Sequence, residues 1–507
     1  MWGRSRGWVS RRTVSRMSLP RSAPRDQGLD ATGVLDLLDA AERQGLDLHS
    51  LVVVRHGHVV AEGWWSPYAA TRPHLAYSLS KTLTATAIGF LVQEGRLGLD
   101  DPVLDLLPPD LTGGAAPGWE AVLVRHCLSM TVGHDGDAWP DLRLRRKDEP
   151  VGDWLPRVLA THLDHAPGTA FAYNQVATYV LSRVVHHLTG EGVLDVLRPR
   201  LLRPLGLPEE VPWHRDPAGH ELGFSGAHLV TEAIAAIGQL HLDGGRWRGE
   251  QLLDPAWVAE ATRAAGPLNR EEGSGPDWQR GYGFSFWQQR GGYRGDGAFG
   301  QLMVVLPDHD LVLATTAATT EMQALVDLAR DHLVPALDRA GPPDAEERLA
   351  ERLAGLRVPA LAATAASPGP VEASRSPGGA TDLHPAYDRV VVAADGRGLV
   401  LHRGGEAFEV ALGDGSWAES TWRRSGADGD WSLPVAASGG WVDDRTLTAT
   451  VLVVETAHRF TVEVRRDEAG DASAQLRWRE VPLNGPDPWH SAARGPRDRA
   501  PERAVAG

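Results

Sequence analysis

Apolar residues recur at helical spacing in GVLDLLDAAERQG (Gly33–Gly45), which predicts a helix closed by a glycine. LVVVRHGHVVAEGWW (Leu51–Trp65) has a different pattern, with apolar runs on either side of His56-Gly57. It predicts a strand, a tight turn and a second strand. A helical period returns from Ser78 to Glu94, and Gly95 suits its C-terminal stop. VATYVLSRVVHHLTG (Val176–Gly190) and VTEAIAAIGQLHLDGG (Val230–Gly245) predict two more helices. GYGFSFWQQ, GAFGQLMVVLP and DLVLATTA read as consecutive strands, and TEMQALVDLARDHLVPAL (Thr320–Leu337) as a closing helix. Strands at both ends of a region with helices between them predict a domain over residues 31–345 whose sheet is built from both ends, with a helical section between.

The pattern changes after that region. Residues 346–384, and above all the Ala/Ser/Pro/Gly-rich stretch from 359, read as a linker. DRVVVAADGRGLVLHRGG, FEVALGDGSW, RTLTATVLVVET and HRFTVEVRR then predict strands joined by Gly/Asp turns. They form an all-β accessory domain over 385–485, a small barrel or sandwich. Residues 486–507 read as a flexible tail. The first 25 residues hold seven arginines and no acid. SRRTVS resembles a twin-arginine export signal, yet no apolar stretch follows it. Residues 1–30 therefore read as a disordered basic arm or an over-extended start, with Met17 as another start, and the cytoplasm is the expected location.

Composition narrows the function classes. A chain of 507 residues can bury a core in each of two domains. Its net charge of −15 argues against nucleic acid as a partner. The single cysteine, Cys127, excludes a disulfide framework and a multi-cysteine metal site. No run of about 18 apolar residues occurs, so no membrane span is expected. The pairs His56/His58, His162/His165 and His186/His187 lack further ligands at metal-binding spacing, so neither metal nor cofactor is implied. The 18 tryptophans are expected in cores and along a pocket.

YSLSKTLTA (Tyr77–Ala85) carries the candidate chemistry. A serine hydroxyl needs a base to become a good nucleophile. Positions i and i+3 share a helix face, so Ser78 and Lys81 lie within reach of each other. The apolar run after Lys81 predicts a buried helix, and burial lowers a lysine pKa toward a usable neutral amine. The free N–H groups at the helix start suit a developing oxyanion. Ser80 lacks a lysine three residues on and reads as a local polar contact.

AYSLSKTLTATAIGFLVQEGRLGLDDPVLDLLP resembles the serine β-lactamase-like family, which includes class C β-lactamases, esterases and D,D-peptidases. The resemblance runs over residues 31–340 and includes GRLGLDDPV (Gly95–Val103) and PGTAFAYNQ. It implies the β-lactamase/transpeptidase-like fold, an α+β fold with an antiparallel sheet flanked by helices. It places Tyr173 on the family's catalytic tyrosine and Gln175 where asparagine is usual, with Asn174 one residue early. Either carboxamide could hold substrate. The third motif, a Lys or His ahead of a glycine on a strand edge, matches YRGDGAFGQ, where Asp296 or Arg294 takes the cation's place. The Ala298 backbone N–H is implied as a second oxyanion donor. The resemblance thus implies a serine hydrolase that cleaves a small ester or amide through an acyl-enzyme on Ser78. A true β-lactamase or D,D-peptidase, and a catalytically impaired binding or regulatory protein of the same fold, are the alternatives. The sequence leaves the oligomeric state open.

Overall fold

An unbroken apolar run such as Leu51–Val54 suits a strand only if both of its faces are covered, because successive side chains point to opposite sides. The computed structural model describes residues 19–139, 152–375, 385, 387–426, 429–483, 485 and 487–493. In it β1 (Leu48–Arg55) is buried at every position. Val52 and Val54 join one core with Met303, Val305, Val312 and Ala314. Leu51 and Val53 join another with Leu302, Val304 and Leu313. His56 and Gly57 take left-handed φ values of 48° and 71°, the two-residue turn that a twisted hairpin favours. They lead into β2 (His58–Trp64). With β3 (Trp287–Gln289), β4 (Gly292–Gly297), β5 (Gln301–Leu306) and β6 (Leu311–Ala317), these strands form a six-stranded sheet in the order β2-β1-β6-β5-β4-β3. Every pairing in it is antiparallel.

Helices cover both faces. α1 (Ala31–Arg43) starts where the Asp30 carboxylate accepts from the Thr32 N–H. α2 (Ser80–Gln93), α3 (Gln175–Thr189) and α4 (Thr231–Leu242) build the core on the opposite face. α5 (Met322–Leu328) packs on the α1 side. The predicted helix over 320–337 is α-helical only to Leu328, then continues as a π turn over Ala329–Leu333 and a 3₁₀ turn over Val334–Ala336. Pro335 has no N–H to extend an α-helix there. GYGFSFWQQ is strand only from Trp287. Ser285 has φ 63°, and Gly283 passes so close to Ala261 that a Cβ would lie 2.1 Å from that carbonyl oxygen.

Within the predicted linker, residues 346–375 are described and include a helix and a strand, and residues 376–384 lie outside the described residues. α6 (Ala345–Ala354) packs Ala345 and Leu349 into the α1-side core. β7 (Val371–Arg375) already belongs to the second sheet. β8 (Arg389–Val392), β9 (Gly398–Arg403), β10 (Glu406–Ala411), β11 (Ala418–Gly426), β12 (Gly429–Trp441), β13 (Thr446–Val453), β14 (Arg459–Arg466) and β15 (Ala472–Trp478) complete it. The order is β10-β9-β8-β7-β15-β14-β13-β12-β11. The edge strands β10 and β11 meet through Trp422 Nε1 donating to the Glu409 carbonyl (2.9 Å) and Ala411 N donating to Ser420 Oγ (3.0 Å), so the sheet nearly closes.

Both predicted loose ends are ordered where they are described. Arg21 binds Glu62 (2.7 Å) and Glu232 (2.9 Å), and residues 24–27 form a 3₁₀ turn, so the arm is docked from residue 19. Residues 1–18 lie outside the described residues. In the tail, Trp489 and Ser491 are buried, and Ala492 and Ser491 carbonyls meet His214 and His228 (3.1 and 3.2 Å). Apolar burial and paired charge hold these segments, which composition alone ranked as loose. Among the described residues no helix is long and apolar enough to cross a membrane.

Candidate active site

Ser78 lies in a 3₁₀ turn, Tyr77–Leu79, which runs straight into α2. Lys81, one turn on, is 1% exposed. Its Nζ is 2.9 Å from Ser78 Oγ, 2.6 Å from Gln175 Oε1 and 3.1 Å from the Phe224 carbonyl oxygen. A neutral amine has two N–H donors and one lone pair. Two donors match the two carbonyl oxygens, and the lone pair is left for the Ser78 hydroxyl. Burial lowers the Lys81 pKa to about 7, against the opposing fields of Asp137 and Asp296. Ser80 accepts from the Ala227 N–H (3.1 Å) and so fastens the start of α2.

Tyr173 hydrogen-bonds Ser78, and its ring lies under Lys81 Nζ at 4.7 Å from the centroid. It stacks on Trp287 (5.4 Å) and meets Tyr282 edge-on (6.0 Å). Burial, reinforced by Tyr282 and Asp296, pushes its pKa well above the usual phenol range. Tyr173 is therefore a protonated donor, and Lys81 is the group able to accept a proton.

The choice between the two carboxamides follows from a helix cap. Asn174 Oδ1 accepts from the Val176 N–H (2.9 Å) and its Nδ2 donates to the Gly136 carbonyl (3.0 Å), which commits it to the start of α3. Gln175 is the carboxamide on Lys81. Asp137, which sequence reasoning did not single out, accepts from the Gln175 and Trp139 N–H groups (3.0 and 3.2 Å). It sits in a polar loop with no periodicity to mark it.

On β4, Arg294 and Asp296 share one face and pair at 3.2 Å. Arg294 is fully buried, its guanidinium 4.0 Å from the Trp278 ring centroid. Burial raises the Asp296 carboxyl, while Arg294 and Lys81 hold it back. Asp296 is thus coupled both to the buried cation and, together with Asp137, to Lys81. Ala298 follows at the β4–β5 turn, where Gln301 Nε2 donates to its carbonyl (3.0 Å). The glycine at 297 allows this approach: a Cβ there would lie 2.1 Å from the Ala76 carbonyl oxygen. The Ser78 turn and the Ala298 turn are therefore neighbours.

A family model described as Beta-lactamase matches residues 38–336, more than half of the chain. Over 327 residues the chain is 29% identical to a penicillin-binding protein 4 of Amycolatopsis lactamdurans, covering 58% of this chain and 81% of that one. It is 28% identical over 300 residues to a 6-aminohexanoate-dimer hydrolase of Paenarthrobacter ureafaciens (56% and 75% covered). It is 31% identical over 208 residues to the esterase EstB of Burkholderia gladioli (35% and 52% covered). With the sheet, the helices and the motif order already described, the chain belongs to the Beta-lactamase family and is a serine hydrolase of that fold.

Proposed function

We propose that Ser78 is the nucleophile of an esterase- or amidase-type reaction on a small, non-anionic substrate. The contact that carries this reading is the buried Lys81 amine on Ser78 at 2.9 Å. Neutral Lys81 takes the Ser78 proton as Oγ attacks the carbonyl carbon, and the Ser78 and Ala298 N–H groups receive the oxyanion. The tetrahedral intermediate collapses as the protonated Tyr173 gives its proton to the leaving oxygen or nitrogen, and Lys81 restores that proton. Water then attacks the acyl-enzyme, with Lys81 and Tyr173 again moving the proton. Gln175 holds Lys81 and offers its N–H₂ to the substrate.

Asp296 and Asp137 both direct negative field at this site. A substrate carboxylate would meet the fields of Asp296 and Asp137 while Arg294 is buried and already paired to Asp296, which disfavours penicillins and carboxylate-terminated peptides and favours neutral or amine-bearing acyl groups. The cytoplasm is the compartment we assign, in keeping with a lone, buried Cys127. Treatment with a fluorophosphonate tests the reading: a single adduct on the Ser78 peptide, lost in Ser78→Ala, is expected. Unchanged labelling of Ser78→Ala at another serine would overturn it.

A further inference from the structure

Tyr77 and Phe299 adjoin the two proposed oxyanion donors, Ser78 and Ala298. Both have left-handed backbones, φ 47° and 66°, which bulky residues adopt only when their surroundings hold them there. The holding group comes from the other domain. The loop between β13 and β14 lies across this corner, with the Leu75 N–H donating to the Glu455 carbonyl (2.8 Å). Its last residue, His458, is 1% exposed. The His458 ring packs edge-on against both aromatics, with centroids 5.8 Å from Tyr77 and 5.1 Å from Phe299, which are themselves 5.4 Å apart. Leu75, Tyr77, Phe299, Ala318 and Ala457 form a small core of their own beneath the site, and Ala298 packs against it.

Hydrogen bonds fix the imidazole's roles. His458 Nδ1 is 2.9 Å from the Glu480 carbonyl oxygen, so Nδ1 carries the proton and donates. Nε2 is left to accept from the Tyr77 hydroxyl, and the two are hydrogen-bonded. The His458 amide is held in turn by Thr456 Oγ1 (3.0 Å).

We infer that His458 of the C-terminal β domain is a positioning residue for the active site, setting the two oxyanion-donor turns through Tyr77 and Phe299. The matched family region ends at residue 336, so this group is supplied from outside it. The inference rests on Ser78 being the nucleophile. It assigns the β domain a part in catalysis: removing its contact leaves substrate binding in place and misplaces the donors that act in the transition state.

The test uses the full chain. Tyr77→Phe removes one hydroxyl, His458→Leu removes the acceptor, and His458→Gln restores an acceptor. The readouts are the rate of fluorophosphonate labelling at Ser78, kcat and KM on a p-nitrophenyl ester, and the rate ratio between that ester and its thionoester. Sulfur accepts hydrogen bonds poorly, so that ratio follows the quality of the oxyanion site. Tyr77→Phe and His458→Leu are expected to lower labelling and kcat about tenfold or more, with KM within about twofold and a collapsed ratio. His458→Gln is expected to recover part of each. If His458→Leu does not fold, Tyr77→Phe alone decides. Wild-type kcat and ratio in Tyr77→Phe, or losses with the ratio unchanged, would overturn the inference. Absence of labelling in the wild-type protein would remove the nucleophile reading and this inference together.

Discussion

Lys81 offers the sharpest quantitative test. Its pKa falls from 10.5 to about 7 on burial. At about 1.4 kcal/mol per pH unit, this is roughly 5 kcal/mol against the ammonium. At neutral pH about half of the amine is then unprotonated, where an exposed lysine would have roughly one molecule in three thousand in that state. Activity that needs the neutral amine must rise with pH through an apparent pKa near 7. The assay is kcat/KM for a neutral p-nitrophenyl ester between pH 5 and 9, because that ratio reports the free enzyme's base. Lys81→Arg keeps the charge but cannot give up its proton, so it should cost about a thousandfold. Asp296→Asn removes a field that favours the ammonium, so the rising limb should move to lower pH. A flat profile, or substantial activity in Lys81→Arg, would refute the assignment of Lys81 as the base.

Asp296→Asn should also raise kcat/KM for anionic esters by about tenfold relative to neutral ones, measured with a matched pair of substrates; equal effects on both would separate Asp296 from substrate charge. Gly297→Ala would set a Cβ 2.1 Å from the Ala76 carbonyl oxygen, so the Ala298 turn must withdraw from Ser78. A stability loss of about 1–3 kcal/mol by urea titration, with a larger fractional loss of labelling rate, is expected; a fully active Gly297→Ala would contradict this packing. Burial lowers the imidazole pKa of His74 to about 3 and of His228 and His458 to about 4. Above about pH 6.5 these rings are neutral folded or unfolded and have no effect; as pH falls from about 6.5 to about 4 only the unfolded chain takes up the proton. Each ring then costs about 3 kcal/mol, so the urea midpoint should drop steeply across that window, and a midpoint independent of pH there would refute the burial of these rings.

The candidate site was legible in the sequence where chemistry is local. Ser78 and Lys81 sit one helical turn apart, and Tyr173 precedes a strongly patterned helix. The choice between Asn174 and Gln175 was not legible, because it depends on which residue caps α3. Arg294 and Asp296 could be told apart only once the depth of the guanidinium was known. The sheet followed from apolar runs and turn residues. The Ala, Ser, Pro and Gly content of residues 346–384 carries no signal for where the backbone lies, so it did not show that part of the described stretch runs along the second sheet, as where Thr364 N donates to the Trp441 carbonyl (2.9 Å). His458 carries no local signal at all: it reaches Tyr77 from 381 residues away, through a docking of two domains that no motif encodes.

The most direct test of the account is to trap the acyl group itself. Wild-type protein would be mixed with a slowly turned-over neutral ester, quenched in acid within the first turnover, and read by intact mass and peptide mapping. One acyl group per chain, on Ser78 and absent in Ser78→Ala, is the predicted result. Turnover with no acyl adduct, or an adduct mapped to another residue, would contradict it.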